Sequence, residues 1–573
     1  MSIRFSNDRK KTVATLVLAL AFLSVPTAAQ VTFSKASYPL QAAPSEVVAA
    51  DVNGDHKPDL VVFSAGTGKI SILLNNGDGT FASALNFSAG TNPLGAFTNA
   101  YPSIAVADLD GNSRLDIVVS DPANPGSPAG PSVRTFLGNG DGTFQPAIAF
   151  ALDFNYPVLV GVGDFNGDKK SDVALFGTDA TSSLVMLLGN GNGTFRRSDF
   201  LLPSSHSPVS HVTDFNRDGK LDVIYPLNNS FMNVLLGNGD ATFQSPREVG
   251  MDAFGPFFLT SGDFNRDGKL DLVWTSYQWR QCDFGVCHND GPPGSVEVML
   301  GNGSGTFDGG PGALDTGDFG FAAVADFDGD GNLDLAANGT LPSPSLQTKI
   351  YLGDGRGGFG PAIAASLSAL STPDLKAADF NGDGLEDLVV TDSNAVVVAM
   401  NTTSTFRFSF SPAELPAVHS GGSTSLTVGI EALNGFGDTV TLGCSAPASA
   451  GINCSFSSVS VMTDGSVTLT VTTAGPSAGV VPRATMRSLY ALYLPMLGFA
   501  FVGLGFTRPG RRQRAKDLAS LLLLLAALFL HAACGNGNGA GRQPGTPAGD
   551  YTITVSGTSG STQHSTTVTL TVQ

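Results

Sequence analysis

Charge is thin in this chain: only 14% of its 573 residues are Asp, Glu, Lys or Arg, and the 49 acids outnumber the 31 bases. With a net charge of −18, nucleic acid is not expected as a partner. Histidine is sparse as well. The seven copies, at 56, 206, 211, 288, 419, 531 and 564, form no H-E-x-x-H and no evident triad. The five cysteines show neither zinc spacing nor a nearby second pair, which leaves disulfides as the better reading. Two short matches lack their context: GPSAG (475–479) lies in a Pro/Gly linker with no helix after it, and GDGRGG (353–358) is a repeated hairpin turn. Long helices are scarce outside a few apolar segments. Glycine is abundant, with 70 copies, and suits a β-rich, turn-dense chain.

The acids that are present follow a pattern. Seven times the chain repeats D-x-[DN]-x-[DN]-x-x-x-D before an apolar residue: Asp51/Asn53/Asp55/Asp59, Asp108/Asp110/Asn112/Asp116, Asp164/Asn166/Asp168/Asp172, Asp214/Asn216/Asp218/Asp222, Asp263/Asn265/Asp267/Asp271, Asp326/Asp328/Asp330/Asp334 and Asp379/Asn381/Asp383/Asp387. These loops hold 22 of the 49 acidic residues; without them the balance would be +4, so the acidity is mostly a ligand inventory. Positions 1, 3 and 5 of a tight loop turn side-chain oxygens inward, and a backbone carbonyl at 7 and a carboxylate at 9 complete the shell. Such a hard-oxygen set favours calcium over zinc or copper. Turn propensity accounts for Asp, Asn and Gly in one loop but does not demand Asp at position 9 seven times. The expected role of the ion is structural. Position 6 is Gly219, Gly268, Gly331 and Gly384 in four loops but His56, Ser113 and Lys169 in the first three. If the turn needs positive φ there, the first three loops are strained and bind calcium more weakly.

Successive loops begin 57, 56, 50, 49, 63 and 53 residues apart, within the range of four-stranded propeller blades. In each copy an apolar strand enters the loop, a β-rich strand leaves it, and a third reaches a glycine turn ending in Phe, as in NNGDGTF (75–81) and GNGDGTF (138–144). The segment 31–43 has the spacing of an outer strand without a blade, whereas the last blade lacks one, so it is expected to close the ring. These residues resemble the FG-GAP or VCBS repeats of the integrin alpha-subunit propeller and of many secreted bacterial proteins. The resemblance spans about 30–405 and implies a seven-bladed β-propeller with calcium in the loop joining the first two strands of each blade. It implies no particular ligand.

The ends of the chain read differently. Residues 1–29, basic and then apolar, have the form of a secretory signal peptide. Five alternating strand patterns within 406–475 suggest a small sandwich that resembles bacterial Ig-like modules, and strands in 550–573 are expected to complete it after a linker at 535–549. Two apolar runs, assigned to 486–507 and 517–534 around a basic turn at 508–516, suggest a transmembrane two-helix hairpin interrupting the sandwich. The expected fold class is therefore all-β, a propeller and an Ig-like sandwich, broken by that hairpin. Expected disulfides are Cys282–Cys287 and Cys444–Cys454, leaving Cys534 over. The segment with Tyr277, Trp279 and Arg280 is an aromatic, stapled loop and a speculative ligand platform. The functional expectation is an exported, membrane-anchored surface propeller that recognises an extracellular glycan or protein. The rivals are an envelope polysaccharide lyase or hydrolase and a purely structural spacer.

Overall fold

The computed structural model describes residues 31–478 and 542–573, apart from 91–102, 122–129, 155–156, 178–182, 203–208, 228–230, 251–255, 277–280, 284–285, 289–293, 341–345, 370–373, 448–449, 544 and 561. Up to residue 401 the strands form seven four-stranded antiparallel sheets, and a two-stranded hairpin (Gln281–Asp283, Val286–His288) projects from the fifth. The first sheet is Glu46–Ala50, Asp59–Ser64, Lys69–Leu73 and Leu85–Ser88, in that order. The seventh takes Leu375–Ala378, Asp387–Asp392 and Ala395–Asn401 from the end of this region and Phe33–Pro39 from its beginning, with Phe33 opposite Asn401 and Pro39 opposite Ala395. The N-terminal strand thereby covers an edge that the last repeat leaves unpaired.

Burial is graded outward. Inner strands such as Ile104–Ala107, His211–Thr213 and Leu375–Ala378 are half-buried along most of their length, while the second strands Asp59–Ser64, Asp116–Asp121, Asp172–Phe176, Asp222–Pro226 and Asp271–Ser276 are fully buried. Second strands have sheet neighbours on both faces and both edges, so they read as unbroken apolar runs such as Leu60, Val61, Val62 and Phe63, each worth roughly 1.5–3 kcal/mol when buried. An apolar core fills the gap between each sheet and the next. The cluster joining Val61, Phe63 and Ile72 to Ile104, Ile117 and Val119 links the first to the second, and one joining Val389 and Val398 to Val47 and Leu60 links the seventh back to the first. The arrangement is that of a β-propeller.

From Thr405 the chain forms two more four-stranded sheets on one apolar core: Thr405–Ser411, Ser423–Leu433, Ser466–Thr473 and Ile452–Phe456 in one, and Ser460–Val461, Val440–Ser445, Gly549–Ser559 and Thr562–Val572 in the other. The two C-terminal strands thus share a core with strands about a hundred residues earlier.

The expected fold class is corrected in one part. Among the described residues every named element is a strand, and none is a helix long and apolar enough to cross a membrane. The two-helix transmembrane hairpin is therefore withdrawn, and with it the membrane as a partner; its residues lie outside the described ones. The sequence holds the physical reason. The runs Leu489–Phe506 and Leu518–Ala533 have 18 and 16 residues, short of the ~20 a span needs, and the first contains Pro495, Gly498, Gly503 and Gly505. The ends of the insertion come together, since Ser477–Ala478 pairs with Arg542–Gln543. Residues 1–29, Cys534 and the platform residues Tyr277, Trp279 and Arg280 also lie outside the described residues.

Candidate metal centre

Each acidic loop is the connection between the inner and second strands of one sheet. Its position 9 aspartate opens the second strand and pairs with the residue just before position 1: Ala50 with Asp59, Ala107 with Asp116, Gly163 with Asp172, Thr213 with Asp222, Gly262 with Asp271, Ala325 with Asp334 and Ala378 with Asp387. The eight residues between are wound around the position 1 carboxylate. In the third loop Asp164 Oδ1 accepts the N–H groups of Gly167 (2.7 Å) and Asp168 (3.1 Å), and Oδ2 accepts that of Lys169 (2.8 Å). The same pattern recurs around Asp51, Asp108, Asp326 and Asp379, while Asp214 and Asp263 accept the position 5 and position 6 N–H groups.

Positions 3 and 5 each aim an oxygen at the backbone two residues ahead. Asn53, Asn166, Asn216, Asn265 and Asn381 accept the position 5 N–H at 2.9–3.0 Å, and Asp110 and Asp328 do so at 3.2 and 3.1 Å. Asp55, Asn112, Asp168, Asp218, Asp267, Asp330 and Asp383 accept the position 7 N–H at 2.7–3.1 Å. In loop seven the Asn381 amide also donates to Asp383 Oδ2 (3.0 Å).

The winding requires positive φ at two positions. At position 6 it is met by His56, Ser113 and Lys169 (φ 66, 65 and 65°) and by Gly219, Gly268, Gly331 and Gly384 (80–85°). At position 4 it is met by five glycines and by Arg217 and Arg266 (60 and 56°). Position 4 escaped the sequence reading, and it changes the conclusion drawn there. Loops one to five each hold one non-glycine residue in the left-handed region, whereas loops six and seven hold none, so the strained set is the first five and not the first three.

Position 9 is the fully buried member. Asp172 Oδ2 accepts Phe165 N–H from position 2 (3.1 Å), and Oδ1 accepts Gly189 N–H at the start of the glycine turn (2.7 Å). Asp59, Asp116, Asp222, Asp271, Asp334 and Asp387 each join the same two places. Seven aspartates recur there because each latches its loop to the third strand, in addition to any role toward an ion. Burial is the main force raising their carboxyl groups: Asp59 and Asp222 to about 6, Asp387 to about 7, with Asp116, Asp172 and Asp271 also raised.

The residue at position 2 ties the loop to the next sheet. The carbonyls of Val52, Leu109, Phe165 and Phe264 accept N–H groups from the following glycine turn, at 3.3, 3.3, 2.9 and 3.1 Å. Phe215, Phe264 and Phe380 pack against the turn phenylalanines Phe307, Phe359 and Phe81 at 5.6, 5.3 and 5.4 Å between ring centres. The recurring D-F-N and T-F dipeptides were the available signal for this contact.

The oxygens brought together can hold a divalent cation. Carboxylate oxygens of Asp108, Asp110 and Asp116, and of Asp326, Asp328 and Asp334, lie within 4.8 Å of one another in their loops. These are the two loops with aspartate at position 3. The other five differ from the expected shell in a definite way. Where position 3 is Asn53, Asn166, Asn216, Asn265 or Asn381, no three acidic side chains reach that proximity among the described residues. An asparagine there contributes an amide oxygen in place of the third carboxylate. Position 5 is a member of neither triad. Its oxygen also accepts the position 7 N–H in each loop.

The fit is tightest in loop six, where Asp328 is only 7% exposed. Burial and mutual repulsion push Asp326 to about 6, Asp328 to about 8 and Asp334 well above the carboxylate range, and burial raises Asp330. Four crowded, shielded carboxyls call for a compensating positive charge. The nearest protein cation is Arg266, at position 4 of loop five, whose guanidinium donates to the Gly331 carbonyl. A Cβ on Gly331, Gly268 or Gly384 would collide with Arg266, Arg217 or Arg407 respectively. Glycine at position 6 thus serves approach by a neighbouring arginine as well as positive φ.

Outside the loops, Cys444 and Cys454 are disulfide-bonded, joining strands of the two C-terminal sheets with 6.2 Å between Cα atoms. Cys282 and Cys287 stand directly opposite in the projecting hairpin.

Residues 51–119, 164–225 and 214–274 match the FG-GAP-like repeat family. Two solved structures are similar to this chain. One, a lectin from Agrocybe aegerita that recognises non-reducing terminal N-acetylglucosamine, is 20% identical and covers 64% of this chain and 97% of its own, with a TM-score of 0.42. The other, AofleA from Arthrobotrys oligospora, is 12% identical and covers 59% and 90%, with a TM-score of 0.34. Neither likeness bears on what this chain binds, and no curated protein matches it. The matched residues enclose loops one to five.

Proposed function

We propose that this chain is an exported, calcium-stabilised propeller of seven blades, followed by an Ig-like module, that recognises an extracellular glycan or protein. The observation that carries the reading is the sevenfold loop, whose position 1 carboxylate is set by backbone N–H groups in every copy and whose acids gather within 4.8 Å in loops two and six. In each loop the side chains at positions 1, 3, 5 and 9 and the carbonyl at position 7 would hold calcium, which supplies charge neutralisation and a rigid link between two strands. The loop's own residues supply the rest: position 1 gathers the backbone, position 9 latches the third strand, and position 2 fixes the next blade. Export is supported by the signal-like residues 1–29 and by the Cys444–Cys454 disulfide, a bond favoured in oxidising compartments. Recognition is a use that suits a ring of repeated sheets, whose connections are free to carry function. The test is an array of glycans and matrix proteins probed with the full chain in calcium and in chelator. Retention on a defined subset, weakened by chelator, is expected; no retention under either condition contradicts recognition.

A further inference from the structure

The inner strands carry their ionisable side chains at one end only. Glu46 and Asp318 are the first residues of their strands and Lys376 is the second of its own, at the ends away from the acidic loops, while positions nearer those loops are small or apolar, as at Ala49, Ala50, Ala107, Gly163, Ala377 and Ala378. Lys376 sits at the centre of this arrangement. Its Nζ lies 2.8 Å from Asp374 Oδ1 in its own sheet and 5.9 Å from the ring centres of Phe258 in the fifth sheet and Phe321 in the sixth, and its charge interacts with Glu46 of the first. A side chain reached from four sheets of a ring stands at the axis. It is also open to water, with a third (33%) of its surface exposed, whereas Asp374 is fully buried.

The partners divide the work. Asp374 is saturated: Oδ2 accepts Val47 N–H (2.9 Å), and Oδ1 accepts Leu375 N–H (2.9 Å) besides the ammonium. It positions Lys376. Glu46 accepts Ile104 N–H through Oε2 (3.0 Å) and remains half-buried, at the edge of the recess. Phe257, Phe258 and Phe321, all half-buried, pack edge-on with 5.4 and 5.3 Å between ring centres and form an aromatic wall. One recess therefore offers an ammonium donor, a carboxylate acceptor and an apolar wall.

We propose that this axial mouth, on the face opposite the acidic loops, binds a neutral pyranose unit of a glycan. Hydroxyls accept from Lys376 and donate to Glu46, while the C–H face of the ring lies against Phe321 and Phe257. The Asp374 and Glu46 carboxyls outnumber the one ammonium of Lys376, so the recess favours a neutral, hydroxylated ring over a sulfated or carboxylated one. The inference rests on the recognition reading and names the place and ligand class for it.

The full chain is applied to immobilised neutral and acidic glycans, and the retained sugar is titrated as its methyl glycoside into wild type, Phe321→Ala, Lys376→Met and the near-isosteric Glu46→Gln. Retention of neutral pyranosides, weakened at least tenfold in each variant that keeps the wild-type melting temperature, is expected. Glu46→Gln preserves an acceptor for Ile104 and decides the matter if the other two fail to fold. Undiminished binding in the variants, or retention of acidic glycans alone, overturns the axial site but leaves recognition standing. No binding to any glycan overturns the axial site, and binding to matrix proteins alone then leaves the recognition reading intact.

Discussion

Loop six and loop three share one backbone winding but differ in what surrounds it. In loop three, residues 167–170 are all exposed; in loop six, Asp328, Asn332 and Asp334 are buried. The cover comes from Leu385 of loop seven and from the sheets after the propeller, since a Cβ at Gly329 would meet Leu385, Thr405 and Leu433 at 3.0, 3.4 and 3.6 Å. The joint is closed by His564, 2% exposed, which shares a hydrogen bond with Thr405 Oγ1 (2.6 Å), and by Asn434, which donates to the Asn401 carbonyl (3.0 Å). Loop three carries the strained Lys169, while loop six has glycine at both positive-φ positions. The comparison separates two things that the motif merges: a winding that all seven loops share, and a demand for counter-charge that grows where the domain after the propeller shields the acids.

The largest expected effect tests the shared winding. In chelator, Asp172→Ala leaves Phe165 and Gly189 N–H groups buried without their acceptor and costs about 2–5 kcal/mol, whereas Asp168→Ala in the same loop costs within about 1 kcal/mol. Equal losses in urea melts would break the distinction between latch and ligand. Next comes the shielded loop. Asp328→Asn gives loop six the residue that five other loops carry at position 3 and is expected to stabilise the chelated protein by about 1–2 kcal/mol, by relieving repulsion among buried acids, and to weaken calcium binding there. Asp110→Asn in open loop two should do less of both, as read by thermal melts with and without calcium.

Strain gives a smaller difference. Lys169→Gly should add about 1 kcal/mol, since its φ of 65° disfavours any side chain. Gly384→Ala should instead destabilise, through both φ and collision with Arg407. The smallest effect lies away from the loops. Burial lowers His211 to about 4, and its Nε2 lies 2.9 Å from Ser261 Oγ across the fourth and fifth sheets. A depressed folded-state pKa means that this contribution is complete above the unfolded value near 6.5 and is lost as pH falls from there toward 4. His211→Gln should flatten that stretch of the stability profile.

Much of the ring was legible because its determinants are local. Seven evenly spaced loops set the sheet count, and the unpaired segment at Phe33 announced the closing strand. Two features were hidden because they depend on residues distant in the sequence. Position 4 shares the left-handed demand of position 6, which shows only when Arg217 and Arg266 are seen reaching the next loop. The position 9 aspartates looked like ligands alone, since their acceptor role depends on a turn 14 to 30 residues away. The apolar C-terminal runs have the hydropathy of spans, but at 18 and 16 residues they are short for one, and Pro495 and three glycines interrupt the first.

Bound calcium per chain is the most direct measurement of the central claim, by equilibrium dialysis of the full chain followed by elemental analysis. The account predicts close to seven ions, falling by about one when either Asp164 or Asp326 is changed to Ala. Fewer than two ions, or a count indifferent to these changes, would contradict it.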